Sequence, residues 1–319
     1  MRADLSAAMV PAAVRWRPPP RVARPIKGIP VIDVAASIVQ APDGRVLLAE
    51  RTAHQISAGF WELPGGKIDA GETAREAAER ELQEEVGIVP LSMQPWIAYE
   101  HAFPTKRVRL QFFRVDAWKG EPRGLEGQRM AWVDPTAPSV APILPSNVRV
   151  LLAFGLSPIY FVVQPRNDVD RQSFLAQLPA LLARGIRLIQ IRDPHTSPDQ
   201  RIAFARRVNE VARPFAARIL LTGSAMEARR AGLIGVHSTA HELHRLSERP
   251  PVKLWAASCH DAADLARAVS LGADLTVVSP VLPASAHPHR PELGWDGLQR
   301  LAQKAPIPVF AQGGMTPAY

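Results

Sequence analysis

Cysteine is almost absent: Cys259 is the single one in 319 residues. One thiol closes no disulfide and builds no cysteine-ligated metal site within a chain, so a reducing compartment fits. No run of about 18 apolar residues occurs, so nothing reads as a membrane span. The stretch after Met1 has basic residues but no sustained apolar segment, which argues against a secretory signal. These absences describe a soluble, cytoplasmic protein with no membrane partner. Acidic residues are the minority, 30 against 38 lysines and arginines, for a formal charge of +8. Much of that excess sits near the start, where Arg2, Arg15, Arg17, Arg21, Arg24 and Lys27 face only Asp4. The basic balance suits a polyanionic small substrate and requires no stable nucleic-acid partner.

What is abundant is apolar material. At 47% hydrophobic over 319 residues, the chain can bury two cores. Residues 1–29, with Pro18, Pro19 and Pro20 among the arginines, read as a basic flexible leader. From there to residue 153 the pattern is that of a mixed sheet with helices packed on it. Strands are expected at Val31–Val39, Val46–Glu50, Trp96–Phe103, Arg107–Ala117 and Gln128–Val133. A short one at Trp61–Glu62 runs into a glycine turn. Helices are expected over Thr73–Val86, stopped by Gly87, and over Ser146–Leu152. Gly155-Leu156-Ser157-Pro158 then marks a boundary. Beyond it seven short apolar runs alternate with helical stretches: Ile159–Val163, Leu188–Arg192, Ile219–Thr222, Ile234–His237, Leu254–Ser258, Leu275–Ser279 and Val309–Gln312. Strands buried on both faces and separated by helices form a parallel sheet, and seven in a row favour a (β/α) barrel over residues 159–319.

One segment of the first half carries chemistry. Glu81, Glu84 and Glu85 lie three and four apart, so a helix gathers them on one surface. Like charges that close need a counter-ion, and converging carboxylates suit Mg2+, with Mn2+ as a substitute. Arg80 can neutralise part of the excess. Gly65 and Gly66 allow a tight turn, where a backbone carbonyl can join a metal shell. The full pattern resembles the Nudix box, with Gly66, Glu72, Arg80, Glu81, Leu82, Glu84, Glu85, Gly87 and Ile88 filling its fixed positions. The wider resemblance, over Val31–Leu152, is to the MutT branch of that family, the 8-oxo-dGTP diphosphatases. It implies an α/β/α sandwich that hydrolyses oxidised dGTP, and dGTP more weakly, to the monophosphate and pyrophosphate, sanitising the nucleotide pool.

The same resemblance implies a site. Gly65, Glu81, Glu84, Glu85 and a loop residue matched by Glu126 would hold metal, the four glutamates forming the catalytic set. Arg51, Glu62, Leu63, Pro64, Gly65, Lys67, Lys106 and Asn147 would contact the nucleotide, Asn147 reading a purine edge with its donor and its acceptor. Metal would neutralise phosphate charge and activate a water. Three positions depart from familiar members: Leu63 replaces an aromatic residue, Thr105-Lys106 an aspartate–arginine pair, and Ile56 a histidine. A Nudix enzyme for another nucleoside diphosphate derivative, a nucleotide sugar or a dinucleotide, is the alternative.

Ile159–Tyr319 resembles thiamine-phosphate synthase, a (β/α)8 barrel that joins a pyrimidine diphosphate to a thiazole phosphate with magnesium. Leu188-Ile189-Gln190-Ile191-Arg192, Gly235-Val236-His237, Ala257-Ser258-Cys259-His260 and Gly313-Gly314-Met315-Thr316 carry the likeness at strand ends. Gln190, Arg192, His237, Glu242, Gly313 and Gly314 are the ligand candidates. Pro194 stands where the family has lysine, and Thr222-Gly223 where it has asparagine–aspartate. Glu242 occupies the other acidic position, and Ala284-Ser285-Ala286-His287 replaces a phosphate-binding loop. The given chain runs only just past its seventh strand, so the barrel is expected to be incomplete at that end and degenerate. The readings open for it are an active synthase, a phosphate-ligand binding module, and a structural support for the first half; association of two copies through it is a separate open expectation. Cys259 is expected to be buried and structural, and His241 and His244 to be surface residues.

Overall fold

The structure, a computed structural model, describes residues 31–102, 106–283, 291–303 and 305–314. The basic leader, Phe103, Thr105, Ala284, Ser285, Ala286, His287, His289, Met315 and Thr316 lie outside the described residues.

The first unit comprises β1 (Val31–Val39), β2 (Val46–Glu50), β3 (Trp61–Glu62), β4 (Gly65–Lys67), α1 (Ala74–Glu81), β5 (Val89–Ala102), β6 (Arg107–Lys119), β7 (Met130–Val133) and α2 (Pro145–Phe154). One sheet has the order β4-β1-β6-β5, with β1 and β6 parallel and the other pairs antiparallel. A second, antiparallel sheet has the order β3-β2-β7. Strand β1 is apolar on both faces because its two-residue period serves two cores. Ala36 and Ile38 pack with Val46, Leu48, Phe112, Val150 and Leu151 under α2. Ala35 and Val39 pack with Ala77, Ala78, Leu82 and Val86 under α1. The result is a mixed α/β sandwich.

Two expected elements differ in extent. The helix expected over Thr73–Val86 is α-helical only to Glu81 and widens into a π turn over Leu82–Val86 before Gly87 closes it at φ 74°. Strand β5 begins at Val89 rather than Trp96. Pro90 and Pro95 disguise it. The strand tolerates them because it lies at the sheet edge and its register shifts between Pro90 and Ser92 and between Pro95 and Ala98.

The second unit runs β8 (Tyr160–Val163), α3 (Asp168–Ala183), β9 (Leu188–Ile191), α4 (Pro198–Ala212), β10 (Arg218–Leu221), α5 (Ala225–Arg230), β11 (Gly235–Ser238), α6 (Ala240–Arg245), β12 (Leu254–Cys259), α7 (Ala262–Leu271), β13 (Leu275–Val278), α8 (Gly294–Ala302) and β14 (Val309–Ala311). The seven strands pair in chain order, all parallel. Among the described residues β8 and β14 do not pair with each other, so the barrel is nearly closed with one unsealed seam. Leu188, Leu220, Leu254, Ala256, Leu275 and Val277 form the inner core, and the larger outer core lies beneath the helices. Cys259 is fully buried, and burial pushes its thiol up to about 12, which leaves it protonated and inert.

The units meet at the N-terminal end of the barrel. Val150 and Leu151 of α2 belong to the first unit's core, while Leu152 and Leu156 pack against the barrel's inner core. The Arg149 guanidinium donates to the Ala273 carbonyl at 3.2 Å. Nearby, Asp274 is buried, accepting from Arg249 at 2.6 Å and from the Trp255 amide at 2.8 Å. Burial pushes its carboxyl up, and Arg249 offsets part of that. Arg249→Met strands this carboxylate. A loss of about 3–5 kcal/mol is expected, read as a lowered urea midpoint; an unchanged midpoint would show that the pair does not hold the barrel base.

Candidate functional site

The glutamate-bearing helix is set by its own sequence. Thr73 caps α1: its hydroxyl accepts the Glu76 amide at 3.2 Å, and Glu76 accepts the Thr73 amide at 2.8 Å. Such a reciprocal cap stabilises a helix start by about 1 kcal/mol. Arg80 then acts as a hub. It donates to Glu72 at 2.9 and 3.1 Å, to Glu81 at 2.8 Å, to Glu84 at 3.1 Å and to the Lys67 carbonyl at 3.1 Å. The loop before the helix is thereby tied to its acidic face. Gly65 and Gly66 bring strand β4 against that face. A Cβ on Gly65 would lie 2.3 Å from the Ala35 carbonyl oxygen, and one on Gly66 would lie 2.0 Å from Glu81 Oε1. Only glycine permits this approach.

The carboxylates differ in surroundings. Glu84 is exposed. The Glu81 side chain is largely buried, and burial raises its carboxyl, which Arg80 partly offsets. Glu85 accepts the Gly65 amide at 3.1 Å, and its carboxyl is pushed up to about 8, first by burial and then by the charges of Glu81, Glu62 and Glu126. Glu62, Glu81, Glu85 and Glu126 thus share one field. Glu126 reaches it because its loop is stitched to the helix end. Gln128 donates to the Glu85 carbonyl at 2.8 Å and accepts the Glu126 amide at 2.8 Å, while the Leu125 amide also bonds the Glu85 carbonyl, at 3.0 Å. Among the described residues no three metal-ligating side chains are gathered at binding distance. The donor set nonetheless fits a hard divalent cation: carboxylate oxygens gathered beside a glycine backbone that no side chain screens.

The other expected contacts form a second group. Arg51 is ion-paired with Glu62 and donates to the Ile56 carbonyl at 2.6 Å. Asn147 is buried, and its Oδ1 accepts the Leu63 amide at 2.7 Å. Arg51 and Asn147 therefore bracket the Glu62-Leu63-Pro64 segment, Lys67 is exposed at the end of β4, and Lys106 lies just before β6. Two contributors went unnoticed in the sequence. Gln128 positions the Glu126 loop. Tyr99 donates its hydroxyl to the Ser146 carbonyl and stacks on Phe112 at 5.7 Å, fixing the turn of α2 that carries Asn147. A tyrosine inside an apolar strand, with a hydroxyl that must find an acceptor, was the available signal.

In the second unit a cavity of about 70 Å³ opens at the C-terminal strand ends, lined by Gln190, Arg192, Thr239, Ala240, Ser258, His260, Ser279 and Gln312. Of the expected ligand candidates, Gln190 and Arg192 line it. Gln190 donates to Thr222 at 2.9 Å. His237 lies beneath, bonded to Ser258 at 2.8 Å. Gly313 and Gly314 follow Gln312, both at positive φ. Glu242 instead caps α6, accepting from the Thr239 amide at 2.7 Å and its hydroxyl at 3.0 Å. His244 is bonded to Asp264 at 2.6 Å, and His241 is exposed.

Comparison with known proteins agrees with this division. The family model described as thiamine monophosphate synthase matches residues 159–319, and the NUDIX domain model matches residues 31–154. An 8-oxo-dGTP diphosphatase of Haemophilus influenzae is 40% identical over 121 residues, 38% of this chain and 89% of that protein. One from Escherichia coli is 36% identical over 120 residues, 38% of this chain and 93% of that protein. A CTP pyrophosphohydrolase of Escherichia coli is 32% identical over 124 residues, 39% and 91% of the two chains. The chain belongs to the thiamine monophosphate synthase family through its second half, fused behind a MutT-like domain of the Nudix hydrolase family.

The two glycines separate site from scaffold. Gly66→Ala meets only the mobile end of Glu81, so the fold should hold while the carboxylate moves, lowering nucleotide hydrolysis about 10²-fold. Gly65→Ala meets backbone at positive φ and should lose more than about 1 kcal/mol of stability. Melting curves and initial rates on both variants check this; a Gly66→Ala protein of full activity would place Glu81 outside the site.

Proposed function

We propose that the first unit, residues 30–153, is a Mg2+-dependent diphosphatase that converts 8-oxo-dGTP, and dGTP more weakly, to the monophosphate and pyrophosphate. The observation that carries this reading is the packing of Glu81 and Glu85 against the Gly65-Gly66 turn, with the Glu126 loop tied to the Glu85 carbonyl. Identity of 36–40% to proteins named 8-oxo-dGTP diphosphatase supports the substrate. The Gly65 carbonyl, Glu81, Glu84, Glu85 and Glu126 would hold Mg2+. The ion, when bound, supplies phosphate neutralisation and a more acidic water.

The chain's own groups do the rest. Arg80 holds the helix and the preceding loop in register, so Glu81 faces Gly66. Glu126, on the loop stitched to the end of the helix, would take the proton of the attacking water. Asn147 presents an amide to the purine edge once the Leu63 amide yields its oxygen. Arg51 offers a guanidinium to the base or to the phosphates, exchanging its partner Glu62. The relative named CTP pyrophosphohydrolase favours a second reading, a different nucleobase in the same site. A competition assay with 8-oxo-dGTP, dGTP, CTP, a nucleotide sugar and a dinucleotide separates the two: preference for 8-oxo-dGTP is expected, and preference for another compound overturns the substrate assignment.

Glu85→Gln and Glu81→Gln should each cost about 10²-fold or more in turnover, with unchanged melting. Glu79→Gln, which breaks only an exposed pair with Arg75, should cost almost nothing. Full activity in Glu85→Gln would remove the carboxylate cluster from the mechanism. For the second unit we propose no synthase activity, since Pro194 and Gly223 replace its charged groups and Glu242 is spent on a helix cap. Incubation with the pyrimidine diphosphate and the thiazole phosphate should give no thiamine phosphate; product formation would overturn this.

A further inference from the structure

We propose that the second unit holds the rear wall of the first unit's nucleobase pocket, with Arg149 as the positioning residue that ties the two together. The proposal rests on the reading of Asn147 as the group that meets the base, and it gives the barrel a part in that recognition.

Asn147 has little local support. It sits in the first turn of α2, where Leu144 occupies the cap position and offers no side-chain acceptor. Tertiary contacts hold the turn instead. The Leu144 amide bonds the Trp61 carbonyl at 2.8 Å, Asn147 Oδ1 accepts the Leu63 amide at 2.7 Å, and the Tyr99 hydroxyl donates to the Ser146 carbonyl. All three contacts come from the first unit. The remaining side of the helix is turned to the barrel.

Arg149 secures that side. Two residues on from Asn147, it projects about 200° around the helix, so Asn147 faces Leu63 while Arg149 faces the second unit. Its guanidinium donates to the Ala273 carbonyl at 3.2 Å. That carbonyl is a fixed point. The Ala273 amide bonds the Ala268 carbonyl at 2.9 Å, and the Asp274 amide bonds the Trp255 carbonyl at 2.9 Å. The Asp274 carboxylate is held in turn by Arg249 at 2.6 Å and by the Trp255 amide at 2.8 Å. An acceptor so anchored does not follow the helix, so the arginine sets the rotation of α2 about its own axis.

The surroundings of Arg149 leave little slack. Tyr99 of β5, Leu152 of α2 and the barrel segment Pro306-Ile307-Pro308 border it and leave about 10 Å³ between them, no more than one water needs. Tyr99, whose hydroxyl holds Ser146, thus also borders the barrel. The carboxylates of α1 lie elsewhere. Helix α1 packs over Ala35 and Val39 of β1, whereas α2 packs over Ala36 and Ile38 on the opposite face. A shift of α2 therefore reaches the Asn147 amide and spares Glu81 and Glu85.

Hydrogen–deuterium exchange on the full chain without nucleotide tests the coupling. Arg149→Met keeps the bulk of the side chain and removes its donors. It should speed exchange over 61–64 and 144–149 by about threefold or more and leave 74–82 unchanged. Arg149→Lys, which keeps a donor, should restore most of the protection. Ile307→Ala alters no residue of the first unit and should loosen the same two segments. Turnover of the parent's preferred nucleotide by Arg149→Met should show KM raised about fivefold or more, with kcat within about twofold. Exchange needs no substrate, so a wrong substrate assignment shows in the parent's competition assay and leaves this test standing. Unchanged exchange over 61–64 and 144–149, equally faster exchange over 74–82, or a kcat that falls while KM holds would each overturn the proposal.

Discussion

Carboxylates confined in a half-buried space repel one another, and the first unit is arranged around containing that repulsion. Glu85, at the end of the helix, feels Glu81 on the same helix, Glu62 from a strand and Glu126 from a loop. Arg80 on one side and Arg51 on the other spend their charge at the rim, and the Gly65 amide takes one oxygen of Glu85. None of these neutralises the centre. The local order follows from this. The glycines admit β4 because a side chain would strike Glu81 or the β1 backbone. The helix widens at Leu82–Val86, where a π turn re-aims successive side chains without breaking the helix, a device frequent at functional sites.

The sequence was most readable where spacing and periodicity act together. The box residues are separated by fixed intervals, so their helix and its terminating glycine could be placed before any contact was known. The parallel strands were readable for a different reason: burial on both faces leaves unbroken apolar runs such as Leu188–Ile191 and Leu275–Val278. Contacts across long sequence separations were not readable. Nothing in the local pattern joins Tyr99 to Ser146, or Leu63 to Asn147. Nor does a hydrophobicity pattern reveal β5 through two prolines, because it cannot tell an edge strand from a loop. The engagement of Glu242 as a cap was legible in principle, since threonine followed three residues later by glutamate is a helix-start signature.

In the second unit the same acid can serve chemistry or architecture, and here architecture holds it. Thr239 with Glu242 and Ser224 with Glu227 form reciprocal caps, each satisfying an amide that the helix leaves open. These caps fix the starts of α5 and α6 at the barrel mouth. Arg192 directly follows β9, and His237 stands in β11.

Helix α2 belongs to both halves at once. Val150 and Leu151 fill the first unit's core, Phe154 meets Trp96 edge-on at 5.5 Å and lies under the Arg114 guanidinium, and Leu152 and Leu156 fill the floor of the barrel. A knife placed at the point where the two family patterns meet would lay bare an apolar floor on one fragment and an apolar helix face on the other. After the seam has been upholstered with shared leucines, neither tenant can move out without leaving a hole in the other's wall.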